Sequence, residues 1–208
     1  MIVTKVSERL KPFLVSNGFV RRSPHYFRKI ENVYQIFNFQ CSQWGSGESG
    51  SFTVNLSVTT PTLFSGFTGK NFPKNPTSVS WPISERIGNL VDNRDTWWSI
   101  NNSTEPELIT DQLINSYIPK ALKFFETYKT IELIEQALNK TKEYGVIPGI
   151  FPAQIPIALA LIAYEHDNHH LASKYIETAY TESSGTPFVK TIDAVCNRLQ
   201  NLKPNKSL

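Results

Sequence analysis

The residues best able to do chemistry sit in one short run, His166-Asp-Asn-His-His170, which holds three of the four histidines. Imidazoles with a nearby carboxylate are good zinc ligands. A helical zinc site needs two His four apart on one face. His166 and His170 have that separation, but Asn168 between them is a helix starter and breaks the face. The run reads as a polar helix–helix turn with Asp167 or Asn168 as cap, and no metal is expected. A second candidate is Cys41 with His25, a nucleophile and base facing each other across a hairpin. Cys41 falls on the apolar face of its strand, so an inert, buried thiol is expected. No nucleophile elbow, phosphate-binding loop or dinucleotide fingerprint occurs. The glycine loop at 45–50 lacks the Lys and the following helix that a phosphate site needs. No catalytic residue and no cofactor is expected.

Recognition chemistry is better represented. Trp44, Trp81, Trp97 and Trp98 all fall in loops or near element ends, among Gly, Pro and polar residues. Trp and Arg dominate binding hot spots. Trp44, Arg86 and Trp98 are therefore the candidate partner-binding residues. The competing reading has these indoles covering the end of a sheet. Adjacent strand residues point to opposite faces, so one of Trp97 and Trp98 should enter the core. A different site, for a small ligand or substrate, would gather Gln40, Asn55 and Arg86 on the polar face of the sheet.

The rest of the composition narrows the class. The 208 residues carry a net charge of +3, with 40% hydrophobic and 19% charged residues, the profile of a globular chain. Residues 1–104 hold 11 Lys/Arg against 6 Asp/Glu, and residues 105–208 hold 10 against 12. That excess is too modest for a nucleic-acid binder. Two distant cysteines make no disulfide framework. The first residues lack the apolar run of a signal peptide, and the most apolar window, 148–164, contains three prolines. A cytoplasmic protein without a membrane span is expected, with another protein as its partner.

Local patterns supply the elements. Val3, Val6, Leu10, Phe13 and Leu14 trace one helical face, capped by Thr4, closed by Gly18 and shortened or kinked by Pro12. Residues 25–30 and 33–42 are aromatic and β-branched, joined by a Glu31-Asn32 turn in which Asn32 suits positive φ. Residues 51–58 alternate strictly: Phe52, Val54, Leu56 and Val58 against Ser51, Thr53, Asn55 and Ser57. That predicts a half-buried antiparallel strand whose polar face is wet or part of a binding surface. Residues 59–82 read as a long irregular loop, 86–90 as a short helix and 96–100 as a last strand. From Thr104-Glu-Pro-Glu107, a capping box, the pattern is helical. Pro119 should bend that first helix. Helices are further predicted at 130–144, at 155–165 (apolar all round), from Asn168 to 182, and after Thr186-Pro187.

Taken in order, Gly18-Phe19, Tyr26-Phe27, Gln40-Cys-Ser-Gln-Trp44, Phe52-Thr-Val-Asn-Leu56, Arg86-Ile-Gly88 and Trp97-Trp98 resemble the bacterial family known as domain of unknown function 4304, over about residues 5–125. The resemblance implies a small α+β domain and a bacterial source. It implies no established activity, cofactor or catalytic residue, and by analogy suggests an immunity-type or partner-binding protein. Residues 155–182 resemble a single degenerate tetratricopeptide-type hairpin, through Leu159-Ala160, Ala172, Ile176 and Ala179.

The sequence thus predicts an α+β fold: an N-terminal helix on a small antiparallel sheet (residues 1–126), then an all-helical part (residues 127–208). It predicts a non-enzymatic protein-binding module.

Overall fold

Helix α1 (Ile2–Ser16) opens the chain and places Val3, Val6, Leu10 and Leu14 on its buried side. It runs through Pro12 to Ser16, and Gly18 follows at φ 82°, the left-handed turn a glycine makes without steric cost. In the computed structural model residues 2–42, 49–101, 103–144 and 152–201 are described.

The sheet has six described strands: β1 (Val20–Arg22), β2 (His25–Ile30), β3 (Val33–Cys41), β4 (Gly50–Thr59), β5 (Ile83–Arg86) and β6 (Trp98–Ile100). They run antiparallel in the order β1-β2-β3-β4-β5, and β6 also pairs with β4, beside its first residues. The pairing Phe37 with Leu56 and Phe39 with Val54 sets the register that gathers one apolar face. Tyr26, Phe37, Phe39, Phe52, Val54, Leu56 and Val58 are all buried there. In the β2–β3 turn the positive φ, 51°, falls on Glu31 rather than on Asn32. Asn32 instead donates its amide to Glu165 Oε1 at 3.0 Å.

Helices α4 (Pro106–Gln112) and α5 (Ile118–Thr127) join α1 over the apolar face. Phe125 meets Phe37 edge to face at 5.1 Å, and its carbonyl accepts from the buried Gln35 amide. Between these helices a π-helical turn (Leu113–Tyr117) precedes Pro119, so the missing proline N–H falls in the first turn of α5 rather than inside a continuous ladder. The expected capping box is not formed. Glu105 is the cap without a side-chain bond, and Thr104 Oγ1 accepts from Asn101 N–H instead.

The stretch 59–82 is not a continuous loop: α2 (Pro61–Thr68) lies in it, with the Thr60 hydroxyl accepting from Leu63 N–H and Pro61 in the first turn. Helix α2 sits on the other side of the sheet, where Phe72 bridges Tyr34 of β3 and Phe64 of α2. Helix α3 (Ile87–Asp92) follows β5 directly.

The remaining helices are α6 (Ile131–Tyr144), α7 (Ile155–Glu165), α8 (His169–Glu182) and α9 (Val189–Asn201). Every residue of α7 from Ile155 to Ala163 is buried, as its all-round apolarity demands. Leu161 of α7 packs on Gly66 of α2, and Arg198 of α9 donates to the carbonyls of Gly66 and Phe67 near the end of α2. Buried apolar residues before and after residue 127 join in one hydrophobic cluster. Helices α7 and α8 form a packed hairpin, closed by Asp167 at φ 56° and capped by Asn168, which accepts from Leu171 N–H at 3.1 Å.

Candidate functional site

The outer face of the sheet changes character along its length. Near the β2–β3 turn it is apolar and covered by α2. Toward the far end of β3 the alternation brings up Asn38 and Gln40, and on β4 it brings up Ser57, Asn55 and Thr53. Register then builds two rows across three strands: the polar Asn38, Asn55 and Arg86 in one, and Ile36 followed by Ser57 and Ser84 in the next. The segment 77–80 folds over these rows, held where the Asn38 amide donates to the Thr77 carbonyl at 2.8 Å. Between strand and segment lies a pocket of about 400 Å³, lined by Asn38, Gln40, Asn55, Ser57, Ser78, Val79, Ser80 and Ser84. No charged and no aromatic side chain lines it.

Its hydrogen bonding is only partly used. Asn55 Nδ2 donates to Gln40 Oε1 at 2.8 Å and to Asn38 Oδ1 at 3.3 Å. Ser57 is 1% exposed overall and reaches the pocket.

Arg86 flanks this pocket, one residue along the Asn38–Asn55 row. Its guanidinium is paired with Asp95 and stands over the Trp97 ring, 5.1 Å from the centroid. The arginine side chain keeps 33% exposure and Trp97 is half-buried. A planar cation on an indole, both reachable from solvent, forms a rigid patch with little rotamer entropy left to lose.

The two adjacent indoles divide as strand geometry requires, and Trp98 is the inward one, which corrects the expectation that its ring is presented to a partner. It is 6% exposed, stacked on Phe52 at 5.4 Å and edge-on to Tyr117 at 5.0 Å, and its N–H donates to Gln112. The reason is its pairing opposite Phe52, which commits it to the apolar face. Trp81 is also tied down, parallel to Phe67 and donating to Gln154 Oε1. Trp44 lies outside the described residues. Of the three residues expected to converge on the sheet, Gln40 and Asn55 are bonded to each other and Arg86 is paired with Asn55 across the strands. Asn38, Ser57, Ser78, Ser80 and Ser84 complete the set. Ser57 was legible as part of the polar strand face; the others depend on long-range register.

The nucleophile–base reading does not form a unit. Cys41 ends β3 in an exposed position rather than a buried one, because the apolar layer stops before the strand does. Partial burial raises its thiol above the ordinary range, away from the thiolate. His25 stands opposite Asn38, its Nδ1 accepts from Phe39 N–H at 3.0 Å, and burial lowers its pKa. The histidine run occupies the α7–α8 turn and the start of α8. Among the described residues no group of three or more His, Cys, Asp or Glu is placed to hold a metal ion. No helix among them is long and apolar enough to cross a membrane.

Residues 10–127 match the family model described as Domain of unknown function (DUF4304), more than half of the chain. No curated protein and no solved structure matches it. The match runs from Leu10, within α1, through α5 and takes in every described strand, so the pocket and the Arg86–Trp97 patch lie within it, while α6 to α9 lie beyond it. The chain belongs to the DUF4304 family.

Proposed function

We propose that this member of the family is a non-enzymatic binding module that holds another protein against the outer face of its sheet. The observation that carries the reading is the Arg86–Trp97 stack, standing partly exposed at the edge of a concave, uncharged pocket. Arg and Trp are the residue types that anchor protein interfaces, and a stacked pair is already ordered before it binds. The pocket supplies hydrogen-bonding groups for orientation. Its polar lining groups are carboxamides and serine hydroxyls, with no carboxylate, imidazole or thiol among them, and the flanking Arg86 is paired with Asp95.

A second reading is favoured by the pocket's size. At about 400 Å³ it is within the range that holds a small molecule, so a small-ligand-binding protein with the same site is the alternative.

Affinity capture with the tagged full chain, from a lysate of the organism that encodes it, tests the first reading. The wild-type chain should retain a specific protein that Arg86→Gln and Trp97→Ala chains release, all three being equally folded by circular dichroism. Retention that ignores both substitutions defeats the reading. Recovery of no protein, with a small molecule found by mass spectrometry in the purified chain, replaces it with the alternative.

A further inference from the structure

We infer that the pocket on the outer face of the sheet is a site for a peptide group, the main-chain amide of an extended partner segment or the equivalent carboxamide of an Asn or Gln side chain. The inference rests on the protein-binding reading of the same surface and says which part of a protein it takes.

The argument starts from what the amides leave free. Gln40 and Asn55 share one hydrogen bond, 2.8 Å long, in which Asn55 donates and Gln40 accepts. That bond leaves the Gln40 Nε2 amine as an unused donor and the Asn55 Oδ1 carbonyl as an unused acceptor among the described residues. The neighbouring bonds fix this assignment: Asn38 donates to the Thr77 carbonyl and so presents its Oδ1 to Asn55 Nδ2, and a reversed Asn55 would set oxygen against oxygen. A donor and an acceptor side by side are the complement of a peptide unit, which offers one C=O and one N–H.

The surroundings select against other neutral or charged guests. A free carboxylate or phosphate finds no cation among the lining side chains, and the adjacent Arg86 is already paired with Asp95. A nucleobase is held chiefly by stacking on aromatic rings, and a sugar ring lays its C–H face on one; no aromatic lines this pocket. The hydroxyls of Ser57, Ser78, Ser80 and Ser84 can each donate or accept, so they adapt to the next peptide group along a chain. Val79, 5% exposed, gives the pocket its apolar wall.

The test is a titration of the full ¹⁵N-labelled chain, followed by NMR, with acetyl-glycine N-methylamide as peptide probe and glucose as polyol probe. The peptide probe should shift the side-chain amide signals of Asn38, Gln40 and Asn55 and the backbone signal of Ser57, saturably. Gln40→Met and Asn55→Leu, which keep side-chain volume and remove hydrogen bonding, should each weaken that binding roughly tenfold. Should Asn55→Leu lose its folded spectrum, the exposed Gln40→Met carries the comparison alone. Saturable shifts with glucose only, no saturable shift with either probe, or peptide binding untouched by the folded variants would each overturn the assignment. Arg86 and Trp97 take no part in this titration. A captured protein without probe binding therefore removes the peptide-group assignment alone, and probe binding without a captured protein removes the protein-binding reading alone.

Discussion

Trp81 lies flat on Phe67, ring centroids 4.2 Å apart and planes 7° from parallel, while its indole N–H reaches Gln154 at 3.0 Å. One side chain thus ties the segment that roofs the pocket to α2 and to the start of α7. Trp81→Ala should lower the stability of the whole chain by about 2 kcal/mol, roughly 4–8 °C in Tm, through lost ring burial and stacking. Gln154→Ala should cost about 1 kcal/mol, the net value of one hydrogen bond. Thermal denaturation followed by circular dichroism measures both. Equal effects would mean that the stack contributes nothing beyond its hydrogen bond.

Two glycines report on how tightly the layers meet. In an exposed helix Gly→Ala gains roughly 0.5–1 kcal/mol. At Gly66 a Cβ would stand 2.3 Å from Leu161 Cδ2, and Leu161 is fully buried, so its side chain has little room to withdraw. Overpacking of that kind costs about 1–3 kcal/mol and should outweigh the helix gain. At Gly88 the Cβ would meet backbone, Thr96 N at 2.6 Å and Arg94 O at 2.7 Å, which cannot rotate away. Gly88→Ala should therefore be the more damaging of the two. It should also displace the 94–96 segment that carries Asp95, loosening the Arg86 pair. Urea denaturation ranks them; a Gly66→Ala chain more stable than wild type would show that α2 and α7 are loosely packed.

His25 should make stability depend on pH. Its Nδ1 accepts the Phe39 N–H and can do so only while unprotonated. Burial lowers its pKa below the ordinary 6.5, so the unfolded chain binds the proton more readily than the folded one. The contribution is then fully present above the unfolded pKa, declines as pH falls through 6.5, and is gone below the folded value. Denaturation midpoints taken from about pH 8 down to about pH 5 should fall for the wild-type chain. His25→Leu should flatten that fall. An unchanged slope in the variant would assign the pH dependence to other groups.

How much of this was legible in the sequence depends on whether the deciding contact is local. The alternation Phe52 to Val58 shows β4 and its two faces without further help, and Asn55 and Ser57 come with it. The all-apolar run of α7 announces a helix buried between neighbours. Helix α2 was hidden because Gly66 and the surrounding prolines mask an ordinary start, Thr60-Pro61. β1 and β5, three and four residues long, are too short for a period to show. Asn38 became a site residue only through its register with Asn55, and Ser78 and Ser80 only through the Thr77 carbonyl that holds their segment down. Cys41 was misplaced because alternation says which face a residue takes but not where the covering layer ends.

The same limit decided the tryptophan pair, and it yields the sharpest experiment. Sequence adjacency requires Trp97 and Trp98 to separate; only the pairing of Trp98 with Phe52 says which goes inward. Trp98→Ala removes a buried ring stacked on Phe52 and edge-on to Tyr117, so it should cost about 3–5 kcal/mol of folding stability. Trp97→Ala should leave folding within about 1 kcal/mol, since its ring is half-buried and its main neighbour is Arg86. If the stack anchors a partner, the same substitution should cost about 2 kcal/mol of binding, roughly 30-fold in affinity. Calorimetry on the captured complex, beside denaturation of each free variant, separates the two effects. Trp97→Ala that unfolds the chain, or that binds the partner as tightly as wild type, would remove the ring from the interface and leave the pocket to account for recognition alone.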